Sequence, residues 1–251
     1  MVSRGTAAPT KLKNDAIVEA VFEVRFQQSA LAEIFLGAIA GHSAWTGYET
    51  RRLPSAVALP LELSDAIPNL RYQPVLEAVS PSETTMLRIG PRAISFHAKK
   101  PYPGWQAFRP DLHKVVESLF ERAKDLQIER LGLRYINALT EADHGITSIT
   151  DFDIDVAVAG EALPPSINLN FIQSLDDSST ATVRIATQGF IAANQPSGTS
   201  VVVDIDIASG PGFQTKEGSA VLQWIDFAHT KEKDEFFHLF KAQTIRDWSD
   251  D

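Results

Sequence analysis

The sequence predicts an α+β protein with two pseudo-repeated halves, each an antiparallel sheet with a long amphipathic helix packed on one face. Apolar residues alternate strongly at 17–26 and 128–139, as is typical of half-buried strands. Helical apolar spacing appears at about 104–126 and 218–240. A long strand, a variable segment, three strands and a long helix therefore occur twice, about 111 residues apart, which favours an internal duplication.

In the first half, the strand at 17–26 alternates apolar and charged side chains. A helix at about 30–40 follows and is ended by Gly41. The stretch 42–70 is rich in proline and glycine, so we interpret it as loop with one short strand. Further strands are predicted at 72–79, 84–89 and 93–98, before the helix at 104–126.

In the second half, the strand at 128–139 opens a longer series of strand patterns. These are predicted at 152–158, 167–175, 180–189 and 201–208, before the helix at 218–240. The chain is accordingly divided into a flexible N-terminus (1–14), a first α+β half (15–126) and a second α+β half (127–251). The two halves are expected to form either two domains or one continuous domain.

Composition narrows the classes of function. The 251 residues include no cysteine, which excludes disulfides, thiolate catalysis and cysteine metal sites. The formal net charge of −9 argues against a whole-domain nucleic-acid surface and slightly favours basic partners. The longest apolar stretch, 30–40, contains Glu33 and is too short to span a bilayer. We therefore expect a cytoplasmic protein without a membrane partner.

No catalytic, metal or cofactor motif is recognisable. The histidines lack metal-ligand spacing, and neither nucleotide-binding glycine motif nor a nucleophile elbow is present. The sequence therefore predicts no catalytic residue, no metal and no cofactor. Asp151, Asp153 and Asp155 alternate with apolar residues, which would align three carboxylates on one side of a strand. Such a row could bind a divalent cation or a basic partner, but a solvated strand face is the favoured interpretation.

Arginines on predicted strands form one group of candidate residues. Arg25, Arg88, Arg130 and Arg134 occupy such positions, with Glu19, Glu23 and Glu129 as available partners. If the two opening strands meet, these groups would form an ion-pair network between them. The alternative is an anion pocket, because the guanidinium fork matches phosphate or carboxylate. The structural interpretation is favoured.

Aromatic residues at the entrance of the helix at 104–126 form a second group. Tyr102, Trp105 and Phe108 could stack on nucleobases, although a hydrophobic staple at the helix entrance is favoured. Lys99-Lys100-Pro101-Tyr102 is the one locally basic and aromatic patch. Polar residues from distant segments could also converge into an unfamiliar active site without forming a motif. The residues considered for that site are Arg134, Tyr135, Asn137 and His229.

Several segments together resemble a known family. They are IVEAVFEVRF (17–26), YPGWQAF (102–108), LGLRYINAL (131–139) and the last helix with His229 and Phe236 or Phe237. They are similar to a sporadically distributed family of uncharacterised bacterial proteins about 250 residues long. The resemblance implies no activity, cofactor or catalytic residue. The family's patchy distribution suggests horizontal transfer, which is common for genes of toxin–antitoxin or phage-defence cassettes.

The sequence therefore favours a non-enzymatic binding or accessory protein that acts through a protein partner, in a toxin–antitoxin or phage-defence setting. A nucleotide- or nucleic-acid-binding regulator is the first alternative, and an enzyme with an unrecognised site is the second. A protein partner is expected, nucleic acid is not favoured, and a homodimer is allowed. The candidate ligand- or partner-binding residues are Arg25, Arg88, Tyr102, Trp105, Arg134, Tyr135, Asn137 and His229.

Overall fold

The computed structural model of the chain describes residues 12–53, 67–123, 125–158, 160–162, 164, 166–176 and 178–248. Nine strands of this part form one antiparallel sheet. They are β1 (Ile17–Gln27), β2 (Glu49–Arg52), β3 (Leu76–Val79), β4 (Thr85–Ile89), β5 (Ala93–Lys99), β6 (Gln127–Thr140), β9 (Asn168–Asp176), β10 (Ser179–Thr187) and β11 (Thr199–Ser209). Their order is β2-β3-β4-β5-β1-β6-β11-β10-β9, and a separate hairpin pairs β7 (Ala157–Val158) with β8 (Glu161–Ala162).

The three longest helices among the described residues pack against the sheet. The α-helices are α1 (Ala32–Ala40), α2 (Pro68–Arg71), α3 (Trp105–Arg122), α4 (Glu141–His144), α5 (Gly218–His238) and α6 (Ala242–Asp247). Helix α5 lies against β6 and β11, α3 lies against β5, and α1 lies against β3 and β4. Helix α3 also contacts both α1 and α5. No helix among the described residues is long and apolar enough to span a membrane.

The opening strand β1 has one buried and one half-exposed side. Phe22, Val24 and Phe26 are fully buried, whereas Glu23 and Arg25 between them are partly exposed. This alternation confirms the predicted strand at 17–26 and reflects the period of two along a strand. We call the side of the sheet that carries Phe22 the covered face, and the side that carries Glu23 the open face.

The two strongest predicted strands pair with each other at the centre of the sheet. Phe22 of β1 is opposite Leu133 of β6 in the antiparallel register, and both side chains are fully buried. The expectation that the opening strands could meet is therefore confirmed. All the strands from β1 to β11, apart from the β7-β8 hairpin, belong to one sheet.

The predicted strand at 152–158 is wrong over most of its length. Asp151 belongs to a 3-10 helix, Ile149–Asp151, and its carboxylate accepts the backbone N–H groups of Thr147 and Ser148 at 2.7 and 3.0 Å. Phe152 makes an isolated β-bridge to Phe240, and within this range only Ala157–Val158 forms a strand. The side-chain hydrogen bonds to the backbone outcompete strand formation. The three aspartates consequently do not align on one side of a strand.

Other boundaries differ by a few residues. The strand predicted at 72–79 begins at Leu76, because helix α2 occupies the chain up to Arg71 and Pro74 has no N–H to donate. The helix predicted to reach residue 126 ends at Arg122. Most of the predicted flexible N-terminus, 1–11, and part of the predicted loop, 54–66, lie outside the described residues.

Candidate functional site

The open face carries ion pairs where β1 and β6 meet. The Glu23 carboxylate accepts hydrogen bonds from Arg25 at 2.7 Å and from Arg130 of the neighbouring strand at 3.1 Å. The Arg25 guanidinium also lies over the ring of Tyr72, 4.4 Å from its centroid. The predicted ion-pair network between the opening strands is therefore confirmed.

Arg134 continues this network towards β11. Its guanidinium donates two hydrogen bonds of 2.6 Å to the Asp204 carboxylate, and Arg184 donates a third of 3.3 Å to the same group. The hydrogen bond to Asp204 raises the pKa of Arg134. Such a bidentate ion pair fixes the orientation of the guanidinium.

Arg88 lies at the other end of the open face. It donates a 3.0 Å hydrogen bond to Glu77, which also accepts a 2.9 Å hydrogen bond from Arg51. Burial opposes ionisation of Glu77, but the hydrogen bonds from both arginines outweigh it and lower the pKa of the carboxyl. Glu77 is therefore a buried carboxylate with two cationic partners.

The candidate arginines of the open face are thus already paired with carboxylates. Arg25, Arg88 and Arg134 each hydrogen-bond an acidic side chain. An incoming phosphate or carboxylate would have to displace an internal partner of the same charge. The arrangement therefore favours the structural ion-pair interpretation of these residues over an anion pocket.

The other candidate residues come together on the covered face. Tyr135 of β6 has its hydroxyl oxygen 3.3 Å from that of Tyr102 and 3.4 Å from His229 Nδ1 of α5. Trp105, the first residue of α3, stacks on the His229 ring with 3.8 Å between centroids. With Glu232 of α5, these four residues form what we call the aromatic–glutamate cluster.

Glu232 is the functional candidate that the sequence reasoning missed. Its side chain is buried (6% exposed), and it makes no hydrogen bond to any residue that the structure describes. It lies close enough to influence the ionisation of both Tyr102 and Tyr135. A signal was present in the sequence, because this acid interrupts the apolar stripe that Ala228 and Phe236 mark at helical spacing.

Burial keeps the cluster uncharged at neutral pH. It raises the pKa of Glu232 to about 8, an effect that the charge of Lys233 reduces. Burial lowers the pKa of His229 to about 4, with Lys233 acting in the same direction and Asp226 opposing it. It also raises the pKa values of both tyrosines. The cluster therefore holds a protonated carboxyl and a neutral imidazole.

Arg134 does not belong to this cluster, contrary to one prediction. Tyr135 and Arg134 are consecutive on β6, so their side chains leave the strand on opposite faces. Asn137 is buried on the same face as Tyr135, where its Nδ2 donates a 3.4 Å hydrogen bond to the Val203 carbonyl. The predicted grouping with Arg134 is therefore wrong, whereas Tyr135 and His229 are brought together.

Within the described ranges, no three His, Asp or Glu side chains are placed to hold a metal ion. A scan against protein-family models and a search of curated proteins each find no match to the chain. The resemblance noted from the sequence motifs therefore stays a prediction, together with the toxin–antitoxin or phage-defence setting that it implies.

Proposed function

We propose that this chain is a non-enzymatic binding protein that holds a small organic cation, a protonated amine, in the aromatic–glutamate cluster. The observation that carries the proposal is the Glu232 carboxyl, which is buried beside two tyrosines and has no hydrogen-bond partner among the described residues. A ligand that donates a hydrogen bond to this carboxyl would supply a partner that the described residues do not.

The chemistry of the surrounding groups favours a cation. Apart from Glu232, the cluster offers two phenols, an indole and a neutral imidazole, and aromatic ring faces attract ammonium groups. Lys233 influences Glu232 and His229 but lies on the same helix and is partly exposed. An anion would have no cationic partner in the cluster itself. The net charge of −9 would also draw cations towards the chain.

Binding would be coupled to loss of a proton. Because the pKa of Glu232 is about 8, the free site holds a protonated carboxyl at neutral pH. An ammonium ligand stabilises the carboxylate, so the carboxyl proton passes to the buffer as the ion pair forms. Affinity should therefore rise with pH up to about 8. Above that value the carboxyl is already ionised and the proton release should disappear.

Calorimetry with simple amines tests the proposal. The probes are methylammonium, tetramethylammonium and benzylammonium, with benzyl alcohol as the neutral counterpart of the last. We expect one or more of the ammonium ions to bind wild-type chain with proton release at neutral pH, measured from the heats in two buffers of different ionisation enthalpy. Benzyl alcohol should not bind with proton release.

Glu232→Gln is the decisive variant, since it keeps the shape of the protonated carboxyl but cannot ionise. It should abolish amine binding. Glu235→Gln is the matched control on the same helix, because Glu235 hydrogen-bonds Gln173 and lies outside the cluster. Equal amine binding by wild type and Glu232→Gln, or no binding of any amine below and above about pH 8, would contradict the proposal.

We also propose that the two halves are related repeats. Two features support this: β1 and β6 are adjacent at the centre of the sheet, and each has the last strand of its own half, β5 or β11, as its other neighbour. A long helix, α3 or α5, follows each of those last strands. The cluster would then be built from both halves. Two halves that fail to superpose by a twofold rotation would refute the duplication.

A further inference from the structure

The strand β9 is an exposed edge with features that favour pairing. It is nine residues long and lies at one end of the sheet. Phe171 and Ile172 point to opposite faces and are 39% and 69% exposed. The strand contains no proline and no lysine, and its one charged residue is Asp176. An edge strand that is long, exposed and nearly neutral is a template for another strand.

The opposite edge of the sheet has the features that prevent such pairing. Strand β2 has four residues, Glu49–Arg52, with the sequence ETRR, and all four are exposed. Shortness and charge are two of the ways in which proteins block an edge. The β2 edge of the sheet is therefore protected against pairing with another strand, whereas the β9 edge is open to it.

We infer that β9 is the contact between two copies of this chain, which pair antiparallel about a twofold axis at Ile172. The two nine-stranded sheets would then form one continuous sheet. This inference is independent of the proposed ligand, because the two sites share no residue.

The sequence of β9 is complementary to itself in this register. With Ile172 opposite its own copy, Leu169 is opposite Leu175, and Asn170 is opposite Ser174. The remaining pairs are Asn168 with Asp176 and Phe171 with Gln173. No two like charges are opposite each other, and apolar residues meet apolar residues at three of the positions around the axis. Such cross-strand pairs each contribute about 0.2 to 1 kcal/mol.

A second copy would also cover the exposed apolar side chains on both faces of β9. Ile172 lies opposite Thr182 of β10 on the open face, and in the dimer its side chain would pack on its own copy. Phe171 lies beside the fully buried Val183 on the covered face, so the partner strand would extend the existing core. Because one strand pair is a small interface, we expect a Kd on the order of micromolar.

Cross-linking gives a direct test, since the chain has no cysteine of its own. Ile172→Cys should yield a disulfide-linked dimer on mild oxidation, because residue 172 faces its own copy across the axis. Thr50→Cys on β2 is the matched control, exposed on the opposite edge, and should stay monomeric.

Light scattering at a series of concentrations provides the second measurement. Wild-type chain should form a dimer that dissociates on dilution, and Ile172→Lys should be a folded monomer because it places two like charges opposite each other. Circular dichroism checks the fold of each variant. Wild type that stays monomeric throughout the series, or a dimer that Ile172→Lys leaves intact, would overturn the inference. A different protein bound at β9 to an otherwise monomeric chain would overturn it too.

Discussion

Two buried glutamates, one on each face of the sheet, differ in their hydrogen-bond partners and in the direction of their pKa shifts. Glu77 on the open face is 4% exposed and accepts hydrogen bonds from two arginines. Glu232 on the covered side is 6% exposed and has no hydrogen-bond partner within the described part of the chain. The pKa of Glu77 is lowered in spite of its burial, whereas that of Glu232 is raised to about 8.

Partners, rather than burial alone, therefore decide the charge of a buried acid. On the open face, arginines supply charge and hydrogen bonds, so the acid is held ionised and serves the structure. Around Glu232 of helix α5, the neighbours are aromatic rings and a neutral imidazole, so burial keeps the acid protonated. A carboxyl without a hydrogen-bond partner among the described residues is open to a ligand.

The largest expected effect is a pH dependence of stability that belongs to Glu232. Its folded pKa of about 8 lies above the ordinary value of 4.5, so the folded state binds the proton more tightly. The free energy of unfolding should therefore fall as pH rises from about 4.5 to about 8, by about 5 kcal/mol in total. Urea unfolding across this range measures it, and Glu232→Gln should remove the decline.

His229 contributes a pH dependence of stability that must be distinguished from that of Glu232. Its folded pKa of about 4 lies below the ordinary value of 6.5, so it contributes stability that is lost as pH falls through that range. The two groups oppose each other below about 6.5, and the decline between about 6.5 and 8 belongs to Glu232. A decline there that persists in Glu232→Gln would show that another group causes it.

The second prediction concerns Glu77→Leu. We expect it to lower the free energy of unfolding by about 1 to 2 kcal/mol, because it removes the partner of Arg51 and Arg88. The loss is moderate since both arginines are partly exposed and can be rehydrated. The folded pKa of Glu77 is depressed, so the loss should be constant above about 4.5 and shrink at lower pH. Denaturant unfolding of both chains at neutral and acidic pH measures this difference.

The third prediction is that substitution of the other buried glutamate by leucine changes the free energy of unfolding in the opposite direction. Glu232→Leu should raise the free energy of unfolding at neutral pH by about 1 kcal/mol, because it replaces a desolvated carboxyl, which has no hydrogen-bond partner among the described residues, with an apolar group. Thermal unfolding in the absence of amines measures it. A strong loss of stability would mean that Glu232 has a structural partner.

The smallest effect is expected for one pair on the open face. A double-mutant cycle of Arg134→Ala and Asp204→Ala should give a coupling of about 0.5 to 1 kcal/mol, because Arg134 is partly exposed. Added salt should weaken the coupling. A coupling that is large and independent of salt would mean that this face is less hydrated than its exposure indicates.

Local sequence patterns predicted the elements whose side chains alternate with a clear period. The strands β1, β6 and β11 and the helices α3 and α5 lie within a few residues of their predicted ranges. The pattern failed at 152–158, because the Asp151 carboxylate binds nearby backbone N–H groups, and a periodicity argument does not include such bonds.

The apolar side of each regular element follows from the residue order alone, because it depends only on the period of the strand or helix. The residue order also determined that arginines and acids would share a face of the opening strands. The meeting of Tyr102, Tyr135, His229 and Glu232 depends on the fold, since they come from three segments up to 130 residues apart that pack only when the sheet and helices assemble. Only the strand order decided that β2 and β9 are the edges, because the position of a strand in a sheet depends on long-range pairing.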